Sequence, residues 1–203
     1  MIVTIVGTGY VGLVTGTCLA SYGHTVRCVD VSKERIDAIR AGTAPFYEPG
    51  LDALLCRVQS NGCLSCTTDL AAAIEGSNLS VIAVGTPARG ENPDLSYLET
   101  AAAQIGAALH RTGGYHVVCV KSTVVPGTTR NVVQRILESA SGMRLGDFGL
   151  CMNPEFLREG SAVDDFLKPD RIVIGQADAR SGDVVDALYE CFSCEKPRVS
   201  LEE

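Results

Sequence analysis

Short runs of β-branched residues alternate along this chain with longer stretches of helical periodicity. Ile2 to Val6 is such a run, without polar alternation, as a strand covered on both faces requires. Tyr10 to Tyr22 follows as a helix rich in small residues that allow close packing on a sheet. Thr25 to Asp30 is a second strand, and Ser32 is placed to cap a helix over Lys33 to Arg40. A loop with two prolines, Thr43 to Gly50, leads into a helix from Leu51 to about Ser60. The pattern then predicts strands over Leu64 to Thr67, Leu79 to Val84, His116 to Val120, Phe148 to Met152 and Arg171 to Ile174. Between and after them come helices over Asp69 to Ile74, from Asp94 or Ser96 to His110, over Gly127 to Ser139 and over Ser181 to Cys191. Such alternation predicts an α/β fold with a doubly wound, mostly parallel sheet and right-handed crossovers.

Composition narrows the picture. Apolar residues form 46% of the 203, too many for a disordered chain, and enough length is present for one substantial core. No stretch approaches the roughly 20 uninterrupted apolar residues of a membrane helix. Met1 leads straight into the first strand, so an exported precursor is not expected. The net charge of −7 argues against nucleic acid as main partner, because phosphate-backbone affinity needs clustered Lys and Arg. Nine cysteines are an odd number for disulfides, and a reducing, cytoplasmic setting is expected. Cys63 and Cys66, like Cys191 and Cys194, have the local spacing of zinc ligands, but the two pairs lie too far apart along the chain. Cys18, Cys28, Cys119 and Cys151 sit among aliphatic neighbours and read as small hydrophobes. No metal is expected.

In sheets of this kind, ligands gather at the carboxyl ends of the strands, beside the point where strand order reverses. The first loop there is Gly7-Thr8-Gly9-Tyr10-Val11-Gly12, directly after the first strand and opening the first helix. The first glycine makes the turn, the second admits a diphosphate against the backbone, and the third lets helix and strand pack closely. Free amides and the positive dipole end of the helix then solvate the anion. Asp30 ends the second strand 18 residues after Gly12, where a carboxylate can accept both adenosine-ribose hydroxyls and repel a 2′-phosphate. The cofactor expected is therefore NAD, on a Rossmann-like dinucleotide-binding domain. Arg35 fits equally well along the adenosine or as a solvated helix residue.

Three further loops reach the same edge: Val84-Gly85-Thr86-Pro87, Lys121 to Thr128, and Met152 to Gly160. Taken singly, Thr86 and Ser122 read as loop hydrogen bonders and Glu155 as a surface acid. Taken together with Tyr47-Glu48-Pro49-Gly50-Leu51 and Asn153-Pro154-Glu155-Phe156-Leu157-Arg158-Glu159-Gly160, they resemble, in order, the N-terminal domain of the UDP-glucose/GDP-mannose dehydrogenases. The resemblance covers essentially the whole chain, and the Asn-Pro-Glu-Phe-Leu segment is its most specific part. Tyr47 before Glu-Pro-Gly-Leu is similar to the UDP-glucose branch.

The resemblance implies oxidation of a nucleotide-sugar C6 alcohol to a carboxylate by two successive hydride transfers to NAD, with a cysteine holding the aldehyde between them. It places Gly7, Thr8, Gly9, Tyr10, Val11, Gly12, Asp30, Arg35, Val84, Gly85, Thr86, Pro87, Ala88, Ser122, Thr123, Val124 and Glu159 at NAD. Glu155, Phe156, Leu157 and Arg158 would meet the nucleotide sugar, UDP-glucose being favoured. Thr123 and Glu155 would handle protons around the water that attacks the thioester, a task a buried carboxylate suits. The domain expected is 1–195, with 196–203 beginning a connection to a helix and a later domain. The nucleophilic cysteine, the sugar-binding Lys and Asn and the dimer-forming helix of the family would all lie there, so the chain alone is expected to be inactive and the full-length protein a homodimer or larger. GDP-mannose or UDP-N-acetylmannosamine dehydrogenase domains, a non-catalytic NAD-binding module and a β-hydroxyacid dehydrogenase remain alternatives.

Overall fold

The computed structural model describes residues 1–90 and 92–201. Glu202 and Glu203, at the end of the expected connection, lie outside the described residues. The chain runs β1 (Ile2–Val6), α1 (Tyr10–Ser21), β2 (Thr25–Val29), α2 (Lys33–Arg40), α3 (Leu51–Ser60), β3 (Leu64–Thr67), α4 (Leu70–Ile74) and β4 (Leu79–Ile82). A narrow antiparallel hairpin of β5 (Ala88–Arg89) and β6 (Asn92–Pro93) precedes α5 (Ser96–Ala108) and β7 (Val117–Val120). Then come α6 (Gln134–Ser141), β8 (Gly149–Met152), α7 (Ala162–Leu167), β9 (Ile174–Gln176), α8 (Ala179–Leu188) and β10 (Arg198–Ser200).

Eight strands form one sheet in the order β3-β2-β1-β4-β7-β8-β9-β10, parallel except where β9 meets β8. Alternate residues face opposite layers. Val3 and Ile5 of β1 join a core with α1, α3 and α7, while Val6 joins a second core with α4, α5 and α6. Both faces are thus covered, which is why the strands lack polar alternation. Strand order reverses at β1, whose neighbours are β2 and β4.

Several boundaries differ from the sequence expectation for local reasons. The predicted Arg171–Ile174 strand is found as Ile174–Gln176, and Arg171 makes only a bridge to Glu195. The chain re-enters the sheet from its carboxyl edge because α7 is tied there by Glu48 and by an Arg158–Asp165 pair. Helix α8 begins ahead of Ser181 because Asp178 caps it, its Oδ1 accepting from the Ser181 amide at 2.9 Å. The helix predicted from Gly127 opens with a wider π-helical turn over Thr129–Val133. Helix α7, the β5–β6 hairpin and β10 have no counterpart in the sequence expectation. No helix among the described residues is long and apolar enough to cross a membrane.

Asp178→Ala removes the side-chain half of this reciprocal cap. It is expected to lower stability by about 1 kcal/mol, roughly 2–4 °C in Tm, read by thermal unfolding without ligand.

Candidate functional site

At the carboxyl end of β1 the chain turns sharply. Gly7 has φ +99°, and a Cβ there would lie 2.8 Å from the Ala83 carbonyl oxygen beyond β4. A Cβ on Gly12 would meet the Gly7 carbonyl oxygen at 1.9 Å, so α1 starts in direct contact with the turn. Gly9 is different: a Cβ there would meet nothing within 4 Å. It occupies the N-cap position of α1, and no side chain caps that end. The result is an open concavity of backbone facing the crevice between β1 and β4, with the shape and polarity for a diphosphate.

Asp30 closes one side. It is 8% exposed, and its Oδ2 accepts from the Thr8 amide at 2.8 Å and from the Thr8 hydroxyl at 2.7 Å. Oδ1 accepts from the Ser32 amide at 2.9 Å, and Arg35 Nη1 lies 3.6 Å from Oδ2. Burial alone would raise this carboxyl. The Ser32 and Thr8 hydrogen bonds and the Arg35 charge outweigh it, so the group is held below its usual range. Asp30 therefore braces the glycine loop as well as edging the crevice.

The neighbouring loops brace one another. The Ser122 hydroxyl donates to the Val84 carbonyl at 2.6 Å, and the Thr86 hydroxyl to the Thr123 carbonyl at 2.7 Å. Gly85, Pro87, Ala88 and Thr123 are left exposed at the crevice edge, and Val124 packs into the second core. With these hydroxyls engaged, the two loops offer the crevice chiefly backbone groups and the Thr123 side chain.

A third set of contacts centres on Glu48, which is 5% exposed. The Tyr10 hydroxyl donates to its Oε2, and the Gly160 amide donates to the same oxygen at 2.9 Å. The Val163 amide, in the first turn of α7, donates to Oε1 at 3.3 Å. Phe46 packs on the Tyr10 ring with centroids 5.0 Å apart. Burial would raise the Glu48 carboxyl, and these donors turn the net direction downward. One carboxylate thus joins the start of α1, the proline loop and the segment after β8.

Beside this lies a cleft of about 420 Å³, lined among others by Lys121, Asn153, Glu155, Phe156, Leu157, Arg158, Arg171 and Tyr189. Glu155 accepts from the Leu157 amide at 2.6 Å through Oε2. Phe156 is half exposed beneath the Arg171 guanidinium, 5.1 Å from the ring centroid. Arg158 is bound to Asp165, Nη2 to Oδ1 at 2.6 Å and Nε to Oδ2 at 3.1 Å, an interaction that lowers the Asp165 carboxyl to about 2. Its guanidinium is thereby directed to α7. Glu159 is exposed. Among the described residues no cluster of His, Cys, Asp or Glu is arranged to hold a metal, and the nine cysteines are all free.

Residues 1–193 match the model of the UDP-glucose/GDP-mannose dehydrogenase family, NAD binding domain. The chain belongs to that family. A GDP-mannose 6-dehydrogenase of Pseudomonas putida is 49% identical over 193 residues, covering 94% of this chain and 44% of that protein. A UDP-glucose 6-dehydrogenase of Rhizobium meliloti is 45% identical over 93% of this chain and 43% of its own length. The crystal structure of a ternary complex of GDP-mannose dehydrogenase from Pseudomonas aeruginosa superposes with a TM-score of 0.96 at 44% identity, over 100% of this chain and 47% of that one. The chain thus spans less than half the length of these relatives. It is an NAD-binding domain of the nucleotide-sugar dehydrogenase family, and that membership sets the hydroxyacid alternative aside.

The structure places Asp30 against the glycine loop at Thr8. Sequence reasoning missed the load on Glu48, although a Glu between Tyr47 and Pro49 in an otherwise apolar loop was a signal. It also left Lys121, Asn153 and Tyr189 without roles.

Glu48→Gln keeps the size but weakens a charge-assisted acceptor of several donors. It is expected to cost about 1–3 kcal/mol at neutral pH. Because the native Glu48 carboxyl lies below its ordinary 4.5, its contribution is present above that pH and lost as pH falls toward the native value. Denaturant titrations from pH 7 to pH 3 should therefore show a smaller acid loss of stability in Glu48→Gln than in the wild type.

Proposed function

We propose that this chain is the cofactor half of a nucleotide-sugar 6-dehydrogenase, which converts the C6 alcohol of a nucleotide-bound hexose to a carboxylate in two NAD-dependent oxidations. The observation that carries it is the open glycine cradle and the Asp30 carboxylate meeting at the strand-order reversal, with the 420 Å³ cleft on the same edge. The domain in this reading is 1–195, with 196–203 beginning a connection to the rest of the enzyme; the family match over residues 1–193 supports it.

In this reading, amides of Gly9, Tyr10, Val11 and Gly12 bind the diphosphate, and Asp30 takes the adenosine-ribose hydroxyls with its remaining acceptor sites. Arg35 lies alongside. Val84 to Ala88 and Ser122 to Val124 form the opposite wall, with Glu159 at its rim. When bound, NAD would supply the acceptor for the C6 hydride. Glu155 and Thr123 hold and move the proton of the water that attacks the thioester, and the backbone of Phe156 and Leu157 orients the nucleotide sugar. Arg158 contributes mainly by fixing this segment to α7 through Asp165. No described cysteine lines the cleft, so the thiol for thioester chemistry comes from beyond these residues and the chain alone binds NAD without turnover. The whole enzyme is a homodimer or larger, and its nine free thiols here suit a reducing cytoplasm.

The choice of sugar turns on two observations. The UDP-glucose expectation rests on Tyr47, which is 87% exposed and away from the cleft lining. Relatives named for GDP-mannose reach 49% identity, against 45% for one named for UDP-glucose. Both nucleotide sugars therefore enter the test.

Calorimetric titration should give NAD binding at least about tenfold tighter than NADP, and Asp30→Ala should lose about tenfold or more in NAD affinity. Equal NADP affinity, or an unchanged mutant, would sink the cofactor assignment. NADH production from UDP-glucose or GDP-mannose by the full-length enzyme decides the sugar.

A further inference from the structure

Lys121 follows β7 and is 4% exposed at the floor of the cleft. Its Nζ donates to Asn153 Oδ1 at 3.0 Å. Asn153 is itself fixed: the same oxygen accepts from the Tyr189 hydroxyl at 2.7 Å, and Nδ2 donates to the Val173 carbonyl at 2.8 Å. An ammonium has three donors. Among the described residues Asn153 is the one hydrogen-bond partner of the Lys121 ammonium, and no carboxylate pairs with it.

Burying a cation on neutral partners alone is unfavourable. Here burial pushes the Lys121 ammonium down to about 8, while Cys119 and Glu155 pull it the other way. A core position would ordinarily carry an apolar residue, or a lysine paired with an acid. An ammonium held by one partner, with two donors left over beside a cleft, is instead suited to an oxygen of an incoming ligand. Asn153 and Tyr189 fix its direction, and the chain spends two further buried polar groups doing so.

We propose that Lys121 contacts the substrate: its ammonium, aimed by Asn153 and Tyr189, donates to an oxygen of the nucleotide sugar bound in the cleft. The proposal rests on the nucleotide-sugar reading above and adds a donor from within this domain.

The test is acetylation of the amines of the full-length enzyme by acetic anhydride, with and without UDP-glucose or GDP-mannose in the presence of NAD, read by mass spectrometry. Lys33, on the surface of α2, serves as internal control. A bound nucleotide sugar should slow Lys121 acetylation about tenfold and leave Lys33 unchanged, while NAD alone protects neither. Lys121→Met should weaken nucleotide-sugar binding about ten- to hundredfold at unchanged NAD affinity, and Lys121→Arg should restore most of it. Asn153 keeps its Tyr189 donor in both variants, and if either fails to fold the acetylation of the wild type still decides. Calorimetric binding of a nucleotide sugar without protection of Lys121 overturns the proposal alone. Absence of both binding and protection with either nucleotide sugar overturns the substrate reading and the proposal together. Protection without NADH production by the full-length enzyme upholds Lys121 as a ligand contact and overturns the dehydrogenase reading.

Discussion

A buried carboxylate with several donors converging on it holds this site together. Glu48 receives the Tyr10 hydroxyl from the first turn of α1, the Gly160 amide from the segment after β8 and the Val163 amide from α7. Tyr10 and the Gly160 to Val163 stretch lie 150 residues apart in sequence, and one acceptor draws them together. The charge is tolerated out of water because each oxygen is hydrogen-bonded. The consequence reaches into topology. Because α7 is anchored at the carboxyl edge, the chain enters β9 from that edge and runs antiparallel to β8 in an otherwise parallel sheet.

The same logic recurs at the glycine loop on a smaller scale. Asp30 both edges the crevice and receives the Thr8 amide and hydroxyl, so one residue shapes the cradle and presents a carboxylate beside it. Ser122 and Thr86 clasp the facing loops through carbonyls. An acidic protein can therefore offer an anion site without surface lysines, because the attraction comes from oriented backbone amides close at hand. The cleft next to it works by the opposite device, a single cation kept from solvent and steered by an amide and a phenol.

The periodicity of the chain placed most strands and helices, because a strand covered on both faces must be continuously apolar and a covering helix must repeat at its own period. It failed where a single polar side chain decides the matter. Helix α7 is six residues long, and its first turn is capped by Glu48 from more than a hundred residues away. The start of α8 depends on Asp178, a polar residue outside the apolar pattern. Strand β9 begins at Ile174 rather than at Arg171, whose guanidinium lies over Phe156 at the cleft.

What the sequence by itself determined was local: a glycine spacing that only one kind of turn satisfies, an acid at the end of the second strand, and alternating periods that require a layered α/β fold. Gly12 is decided by the Gly7 carbonyl five residues before it and Gly7 by its own positive φ, so these roles are readable in one dimension. Only the tertiary structure decided which polar residues are buried together. The pairing of Glu48 with Tyr10, and of Lys121 with Asn153 and Tyr189, is not written in the pattern, since the free energy of a buried polar group depends on partners that folding alone brings within 3 Å or so.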